Sequence, residues 1–148
     1  MFDVIYDLLD KIEALDENAA WFFVMDRDTK REIIRLNTNE QLGRYGIDSD
    51  EDSLGNYAPF TVQERTAMGL QTSHVDFKVT GDYWKSWRVR VTDKAWIIEV
   101  DPQRFDELVN ELRFAPEHVG LTEENETIVS QGIIFEKYQE WLLMQLGV

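Results

Sequence analysis

The sequence predicts an α+β fold: N-terminal helices, a small antiparallel sheet with a β-hairpin in the middle, and C-terminal helices. Three observations carry that expectation. Ile5, Leu8, Ile12 and Leu15 recur at helical spacing near the start of the chain. Trp87-Arg88-Val89-Arg90-Val91 alternates apolar and charged residues, the signature of a half-buried strand. Asp101-Pro102 and Thr122 each open a helical run with N-cap chemistry. With 148 residues, 43% of them hydrophobic and 30% charged, the chain has the length and composition of one packed domain spanning residues 1–148.

Taken in order, residues 3–15 form a helix whose polar side is filled by Asp7, Asp10, Lys11 and Glu13. Asp3 lies in its first turn, where the helix dipole favours a negative charge. Residues 18–42 read as helix broken or bent near Asp26–Asp28. A hairpin of Trp21–Met25 with Glu32–Leu36 competes, but Lys30, Arg31 and Glu32 interrupt any alternation. From Tyr45 to Pro59 the chain is acidic and turn-rich. Asp48, Asp50 and Asp52 have the alternate spacing of a calcium loop, yet Ser53 and Pro59 stand where that loop needs its glycine and its bidentate glutamate. A solvated acidic loop is expected instead. A short helix then runs from Thr61, as its cap, to Met68, stopped at Gly69.

Val75–Val79 reads as a strand, and Trp87–Val91 pairs with Ala95–Val100 across the turn Thr92-Asp93-Lys94. Asp101 caps a helix that starts at Pro102 and reaches about Arg113. After a break at Pro116 and Gly120, Thr122 caps the last helix, with Glu123, Glu124 and Glu126 in its first turn. Its apolar stripe comprises Ile128, Phe135, Tyr138, Trp141, Leu142 and Leu146.

Composition excludes several functions. There is no Cys, so disulfides, thiolate metal sites and cysteine nucleophiles are absent. The formal charge of −14 opposes binding to nucleic acid or to an anionic membrane surface. Met1-Phe2-Asp3-Val4 is acidic where a signal peptide would be basic, so a soluble protein made in a cytoplasm is expected. The two histidines, His74 and His118, form no metal-ligand pair at helical spacing. No Ser sits in a G-x-S-x-G turn, and no glycine-rich phosphate cradle occurs. The expectation is a non-enzymatic protein with no cofactor, no catalytic residues and no metal site.

The aromatic run Tyr83-Trp84-Lys85-Ser86-Trp87 is denser than one core needs, because neighbouring residues cannot all face inward. Either Tyr83 or Trp84 is therefore a candidate interface anchor; lying across a nearby loop is the competing reading. Preceding the run, an apolar strand leads to Thr80, Gly81 permits a sharp turn, and Ser86 falls on the side of Asp82 if a helical turn follows. The candidate interface residues are Thr80, Gly81, Asp82, Tyr83, Trp84, Ser86 and Trp87.

This segment resembles the signature of the minor virion-morphogenesis proteins of tailed bacteriophages, including tail-completion and neck proteins. Their pattern runs from an apolar strand through Thr-Gly, one residue, an apolar residue and two more residues to Ser and an apolar residue. Thr80, Gly81, Ser86 and Trp87 fit, with Tyr83 in the usual leucine position. Upstream, Asp48–Asp52, Leu54-Gly55-Asn56-Tyr57, Pro59, Thr61 and Arg65 follow the family's order of acidic loop, proline and helix. The likeness covers roughly Ile47–Val91; it lacks the family's Asp-Gly pair and is less basic near Arg65. It implies a virion subunit, present in the host cytoplasm during assembly, that joins head to tail. Such a subunit often works as a ring and docks on connector, portal-proximal or tail subunits. Two other readings stand beside it. One is an acidic decoy binding a basic nucleic-acid-processing enzyme. The other, a small hydrolase, needs a concave pocket with a perturbed carboxylate.

Overall fold

The computed structural model describes residues 2–93 and 95–148. It is α+β, 61% helical around one two-stranded antiparallel hairpin, as the sequence predicts. Helix α1 spans Phe2–Glu13, α2 Glu17–Val24 and α3 Arg27–Arg35, and α3 continues as a π-helical stretch over Leu36–Tyr45. The break between α2 and α3 has a local cause. Asp26 caps α3 by accepting from Thr29 N at 2.9 Å, while the Thr29 hydroxyl donates to Val24 O at 2.8 Å. The helical reading of residues 18–42 therefore holds, with its bend at the predicted aspartates.

Helix α4 spans Pro59–Ala67 and α5 is the single turn Asp82–Lys85. Strand β1, Arg88–Val91, pairs with β2, Trp96–Glu99, in the register Val89 to Ile98. Helix α6 covers Pro102–Asp106 and runs on through Glu107–Glu111, with the Asp101 carboxylate accepting from Gln103 N at 3.0 Å. A 3-10 turn at Pro116–His118 leads to α7, Glu123–Thr127, capped by Thr122. Helical backbone continues through Ile128–Ile134 into α8, Phe135–Leu146.

The inner face of the hairpin, Val89, Val91, Trp96 and Ile98, lies against one apolar cluster built on Val24, Met25, Ile33, Leu36, Leu121 and Val129. A second cluster gathers Leu42, Leu54, Val75, Phe77, Tyr83, Trp87 and Leu108. Ile34 and Ile98 touch both and weld them together. Helix α8 packs on α2 and α1, and Lys137 on α8 reaches the Asp26 carboxylate at 2.6 Å.

Three expectations need correction. Thr61 does not cap α4: Ala58 occupies the cap and Pro59 the first helical position, where its missing N–H costs nothing. The segment Val75–Val79 is not a strand. Val75, Asp76 and Phe77 are buried in succession and Phe77 has φ of 58°, so the alternation is not expressed. The C-terminal stripe is also rotated. Wider π-type turns place Val129 inside and leave Ile128, Phe135 and Tyr138 exposed, while Trp141 stays buried.

Candidate functional site

The predicted corner exists and is locked from both sides. Gly81 has φ of +85°, a left-handed conformation that costs a side-chain-bearing residue about 1–2 kcal/mol. Across this bend the Thr80 hydroxyl donates to Asp82 Oδ2 at 2.8 Å and accepts from Asp82 N at 3.3 Å. That hydrogen bond, with Lys85 nearby, holds the Asp82 carboxyl below the usual carboxylate range. The Ser86 hydroxyl donates to Tyr83 O at 2.6 Å and accepts from Asp101 N at 3.0 Å, tying the corner to the start of α6.

The helical turn sends the rings in different directions. Tyr83 and Trp87, four residues apart, both point into the second apolar cluster, where they meet edge to face at 5.7 Å. Trp87 Nε1 is the buried side-chain nitrogen or oxygen that finds no partner among the described residues. Trp84 is half-buried. Its indole N–H donates to Asp76 O at 3.0 Å, its face receives the Lys78 ammonium at 4.9 Å, and its edge abuts Gly43. A Cβ at Gly43 would sit 3.0 Å from the ring and 3.2 Å from Thr38 O, so the ring packs close on glycine there. Thus Thr80, Asp82 and Lys85 face water, whereas the aromatic cluster folds inward and is held by the molecule itself.

Thr80, Gly81, Asp82 and Tyr83 come together with Phe77, Val79, Asp101 and Arg104 around a cavity of about 250 Å³. Beneath it lies His118, fully buried and stacked on Phe105 at 5.4 Å. Ala115 O, 2.6 Å from Nδ1, can only accept, which assigns the ring proton to Nδ1. Nε2 is therefore free to accept from the Tyr83 hydroxyl at 2.9 Å. Burial pushes the His118 imidazole below its ordinary pKa and the Tyr83 phenol well above its own.

This pair makes stability depend on pH in a defined way. A lowered histidine pKa means the unfolded chain binds the extra proton, so stability is full above about pH 6.5 and falls as pH drops below it. A raised phenol acts at the other end: stability is full below about pH 10 and falls above it. Melting temperature measured across pH 5–11 should show a plateau between those limits. Tyr83→Phe should cost about 1–3 kcal/mol by leaving Nε2 buried without a donor; His118→Gln should flatten the slope between pH 5 and 6.5.

The segment feeding the corner is anchored by a buried ion pair. Arg65 on α4 and Asp76 are each 3% exposed. Arg65 Nη2 lies 3.1 Å from both Asp76 carboxylate oxygens, while Nε donates to Gln71 O and Nη1 to Lys78 O, each at 2.8 Å. The Tyr57 hydroxyl donates to Asp76 Oδ1 at 2.8 Å and Gln71 Nε2 donates to Oδ2 at 2.7 Å. The guanidinium sits 4.2 Å over the Tyr57 ring. Burial, the largest influence, pushes the Tyr57 phenol up to about 12. Side chains here supply the hydrogen bonds that a neighbouring strand would otherwise provide, so residues 75–79 are fixed without a sheet.

The sequence alone does not place Asp76, His118 or Arg104 at the corner, or Arg65 in its interior. Arg65 was visible as the basic residue of the upstream helix, and His118 as a lone imidazole; only packing brings them beside Thr80–Trp87. The acidic loop is structural at its first residue. Asp48 is buried and accepts from Asp50 N and Asp52 N at 2.9 Å each. Among the described residues, no group of three or more His, Asp or Glu is placed to hold a metal ion. No family model, curated protein or solved structure matches the chain.

Proposed function

We propose that this chain is a non-enzymatic structural or assembly protein of a tailed-bacteriophage virion, acting at the head–tail junction or tail by self-association and by docking to connector or tail subunits. The observation that carries this reading is an apolar expanse on a protein of net charge −14. Among the described residues, twelve of the twenty exposed large hydrophobics belong to α1 and to α8 with the chain end beyond it. A monomer that works alone rarely leaves such a surface in water. The corner supports the reading differently. Thr80, Gly81, Tyr83, Ser86 and Trp87, the positions that carry the resemblance, all serve one rigid bend. The polar edge of that bend, Thr80, Asp82 and Lys85, is what a neighbouring subunit would touch. An acidic surface suits a seam past which DNA moves without sticking.

Co-sedimentation with purified connector, portal-proximal and tail subunits tests the reading. A stable complex with at least one of them, and peptides of the chain in purified particles, are the expected results. Absence from both particles and complexes would overturn it.

A further inference from the structure

The exposed apolar residues are not spread evenly, and their distribution specifies a partner. Helix α1 buries no residue at all. Phe2, Val4, Ile5, Tyr6, Leu8, Leu9 and Ile12 are 39–74% exposed, while Asp3, Asp7 and Asp10 line the opposite arc. The apolar arc is wider than the roughly 100° stripe that one packing partner covers. Helix α8 covers part of it, joined at its end by Lys11 Nζ to Leu146 O at 3.4 Å. The remainder is in water. A helix of twelve residues is marginal without tertiary support, so a second covering surface would also hold α1 in its helical form.

We infer that a second copy of this chain covers α1, in a two-fold contact that lays α1 antiparallel on α1 of the mate, with Leu143 and Met144 of α8 at the flanks. The distribution of apolar surface argues for it. Residues of this size at these exposures leave on the order of 700 Å² of largely apolar surface around α1. The stripe facing a mate is part of it and, with Leu143 and Met144, makes a seam smaller than the roughly 800 Å² per partner of a standard interface. On α8 and just beyond it, Phe135, Tyr138, Leu143, Met144 and Val148 are 36–80% exposed. Elsewhere the exposed hydrophobics, Phe22, Tyr45, Phe60, Met68, Val79, Ile97, Leu112 and Ile128, are scattered over separate elements. A head-to-tail contact needs two different complementary surfaces, whereas a two-fold contact needs one patch used twice. Among the described residues, the exposed hydrophobics gather on one element, α1. In the antiparallel pair the helix dipoles oppose, and the Asp3, Asp7 and Asp10 arcs turn away from the seam into water.

The inference deepens the self-association part of the proposed function and departs from the ring that the family resemblance implies. Each copy carries −14, so like-charge repulsion opposes the pair and salt relieves it. Sedimentation equilibrium of the full chain at 1–100 μM should give a dimer whose Kd tightens several-fold between 50 and 500 mM NaCl. Leu9→Glu and, separately, Tyr6→Glu should weaken it at least 100-fold with the helical circular dichroism kept. Phe60→Glu, an equally apolar change remote from α1, should leave Kd unchanged.

A monomer at 100 μM, a dimer indifferent to both α1 substitutions, one loosened by salt, or a closed ring of three or more copies would each overturn the two-fold seam. A ring that still binds connector or tail subunits would leave the proposed function standing. A dimer that binds none of them, from a chain absent from particles, would keep the seam and remove the function.

Discussion

Asp76→Ala should lower the free energy of unfolding by about 3–5 kcal/mol, because it strands the Arg65 guanidinium in the interior with its charge uncompensated. The loss extends beyond one ion pair. The Tyr57 hydroxyl, Gln71 Nε2 and Lys78 N all donate to the same carboxylate and would lose their acceptor together. Against a total stability of about 5–15 kcal/mol for a domain, this is a large fraction. Urea denaturation followed by tryptophan fluorescence measures it. The exposed pair Arg35–Glu32, at 2.7 Å, serves as the comparison: Glu32→Gln should cost no more than about 1 kcal/mol. Asp76→Ala within that same range would show that the buried network does not hold residues 75–79. Should the variant fail to fold, the double change Arg65→Met with Asp76→Leu supplies the test. Removing both charges avoids the stranded cation, so the part of the loss owed to the uncompensated charge should return, while the Tyr57, Gln71 and Lys78 donors still lack their acceptor.

That network also shows why some of the fold was legible in the sequence and some was not. Helices α1 to α3, the β1–β2 hairpin and the caps at Asp101 and Thr122 rest on local signals: apolar period, alternation, and a side-chain oxygen placed two or three residues before its amide. They appear where the sequence puts them. Val75–Val79 misled because its alternation was real but Asp76, the polar member, has its partner on a helix eleven residues upstream. Period-two reasoning sends such a residue to solvent; a buried arginine brings it inside. The corner divides in the same way. Gly81 and its bend are local and were readable, whereas the inward turn of Tyr83 depends on His118, thirty-five residues later. The exposed face of α1 illustrates the converse. Its helical period was plain, but nothing in a periodicity says whether the apolar side meets its own chain.

Gln41→Met should destabilise the protein by about 3–6 kcal/mol, although the two side chains are similar in length and volume. Gln41 is 1% exposed and works as a clamp between the π-helical stretch after α3 and the entry to α7. Its Nε2 donates to Gly120 O at 2.8 Å, while its Oε1 accepts from Thr122 N at 2.9 Å and from Asn125 Nδ2 at 2.8 Å. A thioether fills the space but offers no donor and only a weak acceptor, so two donors and a carbonyl are left poorly paired in the interior. At about 1–3 kcal/mol for each unsatisfied buried group, the sum exceeds any gain in apolar contact. Asn37 clamps the same loop by donating to His118 O at 3.0 Å and accepting from Gly120 N at 2.8 Å. The loss should therefore be felt locally before it is felt globally. Amide exchange of residues 118–125 should accelerate at least tenfold more in Gln41→Met than exchange of β1. The Tyr83–His118 contact should loosen with it, since His118 rides on that loop. Uniform acceleration across both segments would mean that Gln41 supports the whole domain equally and that the loop is held by something other than this clamp.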